Sequence, residues 1–218
     1  MKNLVIMGAN NPEIIRLIDN INEDGKKEKI KVLGFVDNDD AKIGSTILGH
    51  SVLGKPEILS EKQYKDCFVV NNITRDPKTR KITTEQVAEY NNNFLTLVHP
   101  SIDLRYVEIG RGVLIYEGCI LSPRVIIGDH CSIMLGVQIA HDGKIGEFSF
   151  IGPGVTINGV VTIDKEVYIG SGAVILPHLI IGKCAKIGAG SLVGENIRDN
   201  LFVMGNPARA IPISVQKK

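Results

Sequence analysis

The fold is decided by the stretch IAHDGKIGEFSFIGPGVTI, residues 139–157, in which an isoleucine recurs at every sixth position. The same phase runs from Ile109 to Val193, so that fifteen successive positions are all isoleucine, leucine or valine. The residue two positions before each of them is small or compact, and glycine follows many of them. A period of six fits neither an α-helix nor an alternating β-strand. It predicts a coil of short strands, each with one inward-facing anchor and a turn in which glycine supplies backbone freedom.

Composition excludes several classes of function. The chain has 218 residues and a formal net charge of +1, which provides no basic footprint for nucleic acid. No apolar run reaches the roughly 18 residues of a membrane span, and residues 1–8 fit a first buried strand better than a secretory signal. The cysteines, at positions 67, 119, 131 and 184, lack the spacing of a metal site or a disulfide framework. We therefore expect a cytoplasmic protein without a bound metal.

Before the repeat, strand-like and helix-like segments alternate, which indicates a small parallel α/β sheet. The predicted strands are Leu4–Met7, Lys31–Val36, Cys67–Val70 and Phe94–Val98, and the predicted helices run from Pro12 to Gly25 and from Thr79 to Tyr90. His50–Leu59 is predicted as turns with a short connecting segment. We place the domains at 1–98 (α/β), 99–199 (the six-residue repeat) and 200–218 (a C-terminal cap).

Polar residues stand where three of these strands end. They are Gly8, Ala9, Asn10 and Asn11 after the first strand, Asp37, Asn38 and Asp39 after the second, and Asn71 and Asn72 after the third. Ligands bind beyond the carboxyl ends of parallel strands, so these residues are candidate substrate contacts. The first turn would receive a phosphate through its N–H groups, and an acid after the second strand would bind a ribose hydroxyl or a base edge. The alternative is that they only form turns. The first turn lacks the G-x-G-x-x-G pattern, which argues against a dinucleotide cofactor.

The whole pattern resembles the hexapeptide-repeat acyltransferases. The residues that carry the resemblance are the repeat itself, Val98–Ser101, Ile139–Asp142 and Val203–Arg209. It is most similar to the subfamily of bacterial sialic acid O-acetyltransferases and N-acetyltransferases of nucleotide-linked amino sugars. The resemblance implies an α/β domain with a small Rossmann-like parallel sheet, followed by an all-β left-handed parallel β-helix of about five 18-residue coils. It also implies a homotrimer and acetyl-CoA as the acyl donor.

The same resemblance implies an active site at His141. Histidine changes charge near neutral pH and can accept the proton that an attacking amine loses, and Asp142 beside it can orient the ring. The family pattern points to the Gly159 N–H, 18 residues later, as the oxyanion donor. It places acetyl-CoA against Phe150, Gly152, Gly170, Gly172, Ala173, Gly188, Ala189 and Gly190, in a cleft between two β-helices. The competing interpretation of His141 is a surface turn residue without a chemical task.

Three functions are therefore expected candidates. The first is N-acetylation of a nucleotide-linked amino sugar, with UDP as the nucleotide. The second is O-acetylation of sialic acid or another sugar hydroxyl, for which His141 would serve equally. The third is a catalytically silent scaffold. Two departures from the subfamily favour the third: Phe150 stands where many relatives have a second histidine, and Asn10–Pro12 replaces a glycine-histidine turn.

Overall fold

A computed structural model describes residues 1–74 and 76–211 of the chain. The chain divides into two compact units, Met1–Pro100 and a second unit that begins at Ser101. The part of the expected C-terminal cap at 212–218 lies outside the described residues. No helix within the described ranges combines the length and the apolar character that crossing a membrane requires.

The first unit is a five-stranded sheet with two α-helices. Its elements are β1 (Lys2–Met7), α1 (Glu13–Asp24), β2 (Ile30–Val36), β3 (Thr46–Ile47), β4 (His50–Gly54), β5 (Phe68–Asn71), α2 (Pro77–Tyr90) and β6 (Leu97–Val98), with 3-10 turns at Asp40–Lys42, Pro56–Ser60 and Lys62–Tyr64. The strand order is β3-β4-β2-β1-β5, and only the β3–β4 pair is antiparallel. The predicted small parallel sheet is confirmed.

Strand β1 forms the centre of this sheet because its side chains are apolar on both faces. Leu4, Val5 and Ile6 are fully buried, as expected for a parallel strand covered on each side. Helix α1 follows directly: Asn11 Oδ1 accepts a hydrogen bond from Glu13 N–H at 3.2 Å. The helix ends at Gly25, whose φ of 68° is the left-handed conformation common at helix C-termini.

The interpretation of His50–Leu59 as turns was incomplete, because β4 is a strand of the main sheet. It lies parallel to β2, with Phe35 opposite Val52. Only Val52 and Gly54 of β4 are buried, so the sequence shows no clear apolar alternation there. The predicted strand at Phe94–Val98 is also shorter than expected: Phe94 makes one bridge to Val69, and β6 covers only two residues.

The second unit is a parallel β-helix whose strands are two residues long and form three faces. Face 1 consists of β7 (Glu108–Ile109), β10 (Ile126–Ile127), β13 (Lys144–Ile145), β16 (Thr162–Ile163) and β19 (Ile180–Ile181). Face 2 contains β8 (Leu114–Ile115), β11 (Ser132–Ile133), β14 (Phe150–Ile151), β17 (Tyr168–Ile169) and β20 (Lys186–Ile187). Face 3 contains β9 (Ile120–Leu121), β12 (Gln138–Ile139), β15 (Thr156–Ile157), β18 (Val174–Ile175) and β21 (Leu192–Val193).

The six-residue period is the period of these strands. Residues 18 apart stand opposite one another in parallel pairs, such as Ile127 with Ile145 and Ile139 with Ile157. The anchor of each strand points inward, and most of the anchors are fully buried. The prediction of about five coils with a stacked aliphatic core is therefore confirmed.

The turns form three corners, and each corner has a position with positive φ on successive coils. The glycine corner, between faces 2 and 3, has glycine at this position: Gly118, Gly136, Gly154, Gly172 and Gly190. The histidine corner, between faces 3 and 1, has side chains there: Tyr106, Arg124, Asp142, Val160 and His178, with φ between 61° and 64°. The third corner has Gly112, His130, Phe148, Glu166 and Cys184. Left-handed backbone costs a side-chain-bearing residue about 1–2 kcal/mol, so the two latter corners store strain.

Val160 makes this strain testable, because a β-branched residue is especially unfavourable at positive φ. Val160 is 41% exposed and has φ 61°. We expect Val160→Gly to stabilise the protein by up to about 1 kcal/mol, with a higher melting temperature. The control is its neighbour Val161, which is fully buried: Val161→Gly should lower the melting temperature, because it leaves a cavity. Destabilisation by both changes would contradict the strain argument.

The C-terminal segment covers the last coil on all three faces. Ile197 bridges to Ile181 on face 1, and Ala208 N–H donates to Leu192 O at 2.8 Å on face 3. On face 2, strand β22 (Phe202–Met204) pairs in parallel with β20 and is followed by the antiparallel β23 (Arg209–Ala210). This segment satisfies backbone groups that an open β-helix end would leave free to pair with another chain.

Candidate active site

His141 and Asp142 lie on the histidine corner, in the turn between β12 and β13. The His141 side chain is 60% exposed and that of Asp142 is 32% exposed, so neither belongs to the packed interior. Asp142 has φ 61°, and this left-handed turn residue is bonded to the preceding coil through its N–H, which donates to Pro123 O at 3.3 Å. The turn therefore presents both side chains to the outside of the β-helix.

The two side chains form a hydrogen-bonded pair. His141 Nδ1 is 2.7 Å from Asp142 Oδ2. Hydrogen bonds from Arg124, and then from His141, hold the pKa of Asp142 well below its usual range, so this carboxylate is ionised at neutral pH. An ionised carboxylate only accepts hydrogen bonds, so Nδ1 carries the proton in this pair. The lone pair of the neutral ring is then on Nε2, where a base needs it.

Gly159 stands directly beside this nitrogen, one coil further along. A Cβ at position 159 would lie 2.8 Å from His141 Nε2 and 2.9 Å from Cε1, so only glycine leaves room for the ring. The next residue, Val160, donates its N–H to His141 O at 3.0 Å and fixes the spacing of the two coils. Within residues 1–74 and 76–211, the Gly159 N–H has no acceptor. The three residues predicted to be catalytic therefore lie together.

Arg124 is a member of this cluster that the sequence analysis did not single out. Its Nε and Nη2 reach Asp142 Oδ1 and Oδ2 at 2.6 and 2.7 Å. The signal was available: Arg124 precedes Asp142 by one 18-residue coil and occupies the same turn position. Arg124 and Asp142 also border a groove of about 520 Å³ whose other lining includes Tyr106, Glu108 and Lys144.

The predicted cofactor residues lie mainly at the glycine corner, which face 3 separates from the histidine corner within one chain. A Cβ at Gly172 or Gly190 would meet no atom within 4 Å, so these positions leave bare backbone facing outward. The glycines at 152, 170 and 188 are different, because a Cβ there would come within 2.8 Å of the next coil. The nearest atom to a Cβ at position 170 would be the backbone nitrogen of Ala189, at 2.6 Å.

Two of the predicted cofactor residues, Ala173 and Phe150, do not belong to the outward-facing glycine backbone of this corner. Ala173 is fully buried in the core, and both its backbone N–H and its carbonyl are hydrogen-bonded within the β-helix. Phe150 is on face 2, where its ring stacks on Tyr168 with 5.1 Å between centroids. The aromatic pair forms an apolar platform on this face.

In the first unit, the predicted strand ends do meet. Asp37 accepts hydrogen bonds from Ala9 N–H at 2.9 Å and from Lys42 Nζ at 3.0 Å. Burial alone would raise the pKa of Asp37, but bonds from Ala9, Asp39 and Lys42 outweigh it and leave that pKa below the usual value. Asn72 Nδ2 donates to Asn11 O at 2.8 Å. Asp37 and Asn72 thus hold the first turn, residues 8–11, by hydrogen bonds from two sides, and we call it the clamped turn.

The remaining predicted substrate residues divide into exposed and buried ones. Asn10 and Asp39 are exposed, and Asn38, also exposed, pairs with Gln86 at 2.9 Å. Gly8 has φ 95°, and a Cβ there would lie 2.8 Å from Ile73 Cγ1, so the turn requires glycine. Asn71, by contrast, is fully buried.

Asn71 fastens α2 to the sheet. Its Nδ2 donates to Thr83 Oγ1 at 2.8 Å and to Thr84 Oγ1 at 2.9 Å. With these bonds and 1% exposure, the Asn71 side chain is a structural group at this edge. Among the residues that the structure describes, no cluster of three His, Cys, Asp or Glu side chains could hold a metal ion.

Comparisons with known proteins agree with this architecture. Residues 142–177 match the family model "Bacterial transferase hexapeptide (six repeats)". The GDP-perosamine N-acetyltransferase of Escherichia coli O157:H7 is 32% identical over 145 residues, 66% of this chain. The chain covers 65% of that relative, slightly less than two thirds of its length.

Two solved structures are similar over nearly the whole chain. PerB from Caulobacter crescentus, in complex with CoA and GDP-perosamine, is 24% identical with a TM-score of 0.84, covering 97% of this chain and 98% of that one. WeeI from Acinetobacter baumannii AYE is 27% identical with a TM-score of 0.83, covering 97% and 100%. The likeness confirms the predicted α/β unit followed by a left-handed parallel β-helix. The chain is therefore similar to bacterial hexapeptide-repeat transferases, in its repeat at residues 142–177 and in its fold.

Proposed function

We propose that this protein transfers an acetyl group from acetyl-CoA to the amine of a nucleotide-linked amino sugar. The observation that carries the proposal is the His141–Asp142 pair, with Nε2 facing the backbone of Gly159. The curated relative is named as an N-acetyltransferase of a nucleotide-linked amino sugar, and PerB was solved with CoA and such a sugar. These names support the same chemistry for this chain.

In the proposed reaction, His141 is the general base and transfer is direct. Nε2 takes a proton from the amine as its nitrogen attacks the thioester carbonyl, and the carbonyl oxygen becomes negative. The Gly159 N–H, which has no acceptor within the described residues, donates to that oxygen. The C–S bond then breaks, and the imidazolium returns its proton to the departing thiolate. Asp142 stabilises the positive ring between these two proton transfers.

We further propose that the protein works as a homotrimer. Acetyl-CoA would lie along the outward-facing glycine backbone at positions 154, 172 and 190, and the Phe150–Tyr168 platform would be near its acetyl end. Within one chain, face 3 separates the glycine corner from the histidine corner. A donor on the glycine corner of one copy and His141 of a second copy would complete the site in a cyclic assembly.

The first unit would bind the nucleotide at the clamped turn of Gly8–Asn11. The N–H groups of Gly8 and Ala9 are already bonded within this unit, so those of Asn10 and Asn11, just before α1, would receive the phosphate. The base is either uracil, as the resemblance implied, or guanine, as in the substrate that the curated relative's name states.

Melting temperatures with added ligands test this proposal. A ligand that binds only the folded protein raises the melting temperature, and the shift grows with its concentration above Kd. We expect acetyl-CoA and one of UDP or GDP each to stabilise the protein. Stabilisation by CMP-sialic acid instead would favour O-acetylation. A protein that responded to no nucleotide and not to acetyl-CoA would be the silent scaffold.

A further inference from the structure

We propose that Arg124 is a positioning residue of the acetyl transfer, which holds Asp142 in place and through it the ring of His141. This inference rests on the proposed function of His141 as the base. It assigns to Arg124 a role in orienting the active site without contact to substrate.

The geometry of the three side chains carries the proposal. The guanidinium of Arg124 grips both carboxylate oxygens of Asp142, at 2.6 and 2.7 Å, while His141 Nδ1 uses Oδ2 at 2.7 Å. A bidentate fork fixes the plane of a carboxylate as well as its position. Asp142 therefore cannot rotate away from His141 without losing both bonds to Arg124.

Protein stability is a poor explanation for this arrangement. The Arg124 side chain is 71% exposed and that of Asp142 is 32% exposed. Ion pairs this open to solvent contribute little to folding, because water and salt screen them. The pair also bridges two coils that the backbone bonds of the turns already join, including Asp142 N–H to Pro123 O at 3.3 Å.

Arg124 also adds a positive charge beside the base. The charge and the bidentate fork can be separated, because a lysine at position 124 keeps the charge and loses the fork. Other titratable groups face the cluster: Tyr106, Glu108 and Lys144 in the groove, and His178 further along the same corner. They are unchanged in an Arg124 variant, so a change in activity reports on Arg124.

The matched control is Arg111, which also pairs with an aspartate one coil later. Its Nε is 3.4 Å from Asp129 Oδ2, at the third corner and away from His141. Arg124→Met should lower kcat by about 10- to 100-fold, the usual effect of losing a partner that orients an active group, with little change in KM for either substrate. Arg124→Lys, which keeps the charge but loses the fork, should show a similarly lowered kcat. Arg111→Met should keep full kcat.

A double-mutant cycle with Asp142→Asn separates positioning from an independent effect. If Arg124 acts through Asp142, Arg124→Met should cause no further loss in the Asp142→Asn background. Additive losses, an unchanged kcat in Arg124→Met, or an equal loss in Arg111→Met would each overturn the proposal.

Nitrogen NMR of the imidazole ring gives a readout that does not depend on turnover. Arg124→Met should reduce the fraction of His141 that carries its proton on Nδ1, and Arg111→Met should leave that fraction unchanged. An unchanged tautomer in Arg124→Met would contradict the positioning role even if no substrate were known. Absence of turnover by the native protein, with the tautomer shifted as expected, would instead count against the proposed function alone.

Discussion

Replacing His141 with alanine should lower kcat for acetyl transfer by roughly 10²- to 10⁴-fold, the range expected for the loss of a general base. The change removes the only nitrogen that the His141–Asp142 pair directs toward Gly159. Because the side chain is 60% exposed, the melting temperature should change little. Substrate binding should be retained, so the loss should appear in kcat and not in KM.

The control for this variant is His50→Ala, which removes a histidine from the start of β4 in the other unit. It should keep full activity. If His141→Ala turned over at the native rate, proton transfer would not depend on this ring, and the proposed mechanism would be wrong.

Replacing Gly159 with alanine should have the second largest effect, a loss of about 10²-fold in kcat, since displacing a catalytic group by about 1 Å has that consequence. The added Cβ would stand 2.8 Å from His141 Nε2, so the ring must move away from the position in which Asp142 holds it. The backbone of Gly159 does not have positive φ, so alanine itself brings no backbone strain. The effect should therefore be on activity, with the fold intact.

Gly194→Ala is the matched control, because it adds the same methyl group two coils further along. Its Cβ would meet Leu176 Cδ1 at 3.6 Å, an ordinary contact. It should keep both activity and melting temperature. Full activity in Gly159→Ala would show that the His141 ring has room to move, and that its present position is not the productive one.

The β-helix could be predicted from the sequence because its core repeats a single requirement. Each coil places an inward anchor every six residues, so one phase error would put a polar side chain into the core. The His141–Asp142 contact was also predictable, since the two residues are adjacent and share one turn.

Other features of the fold and of the site could be seen only in the structure. Strand β4 was missed because a strand with only two buried residues lacks the clear apolar alternation that predicts strands. Arg124 was missed because its link to Asp142 depends on coil stacking, which becomes visible only when residues 18 apart are compared. The structural role of Asn71 depends on the hydroxyls of Thr83 and Thr84, which no pattern in the sequence connects to it.

The central claim is tested most directly by release of the CoA thiol from acetyl-CoA in the presence of GDP- and UDP-linked amino sugars. Each sugar is paired with the analogue that has a hydroxyl in place of the amine. We expect turnover with one amino sugar, none with its hydroxyl analogue, and a product with an amide at the former amine. Turnover of the hydroxyl analogue alone, or no turnover with any amino sugar, would contradict N-acetyl transfer by this protein.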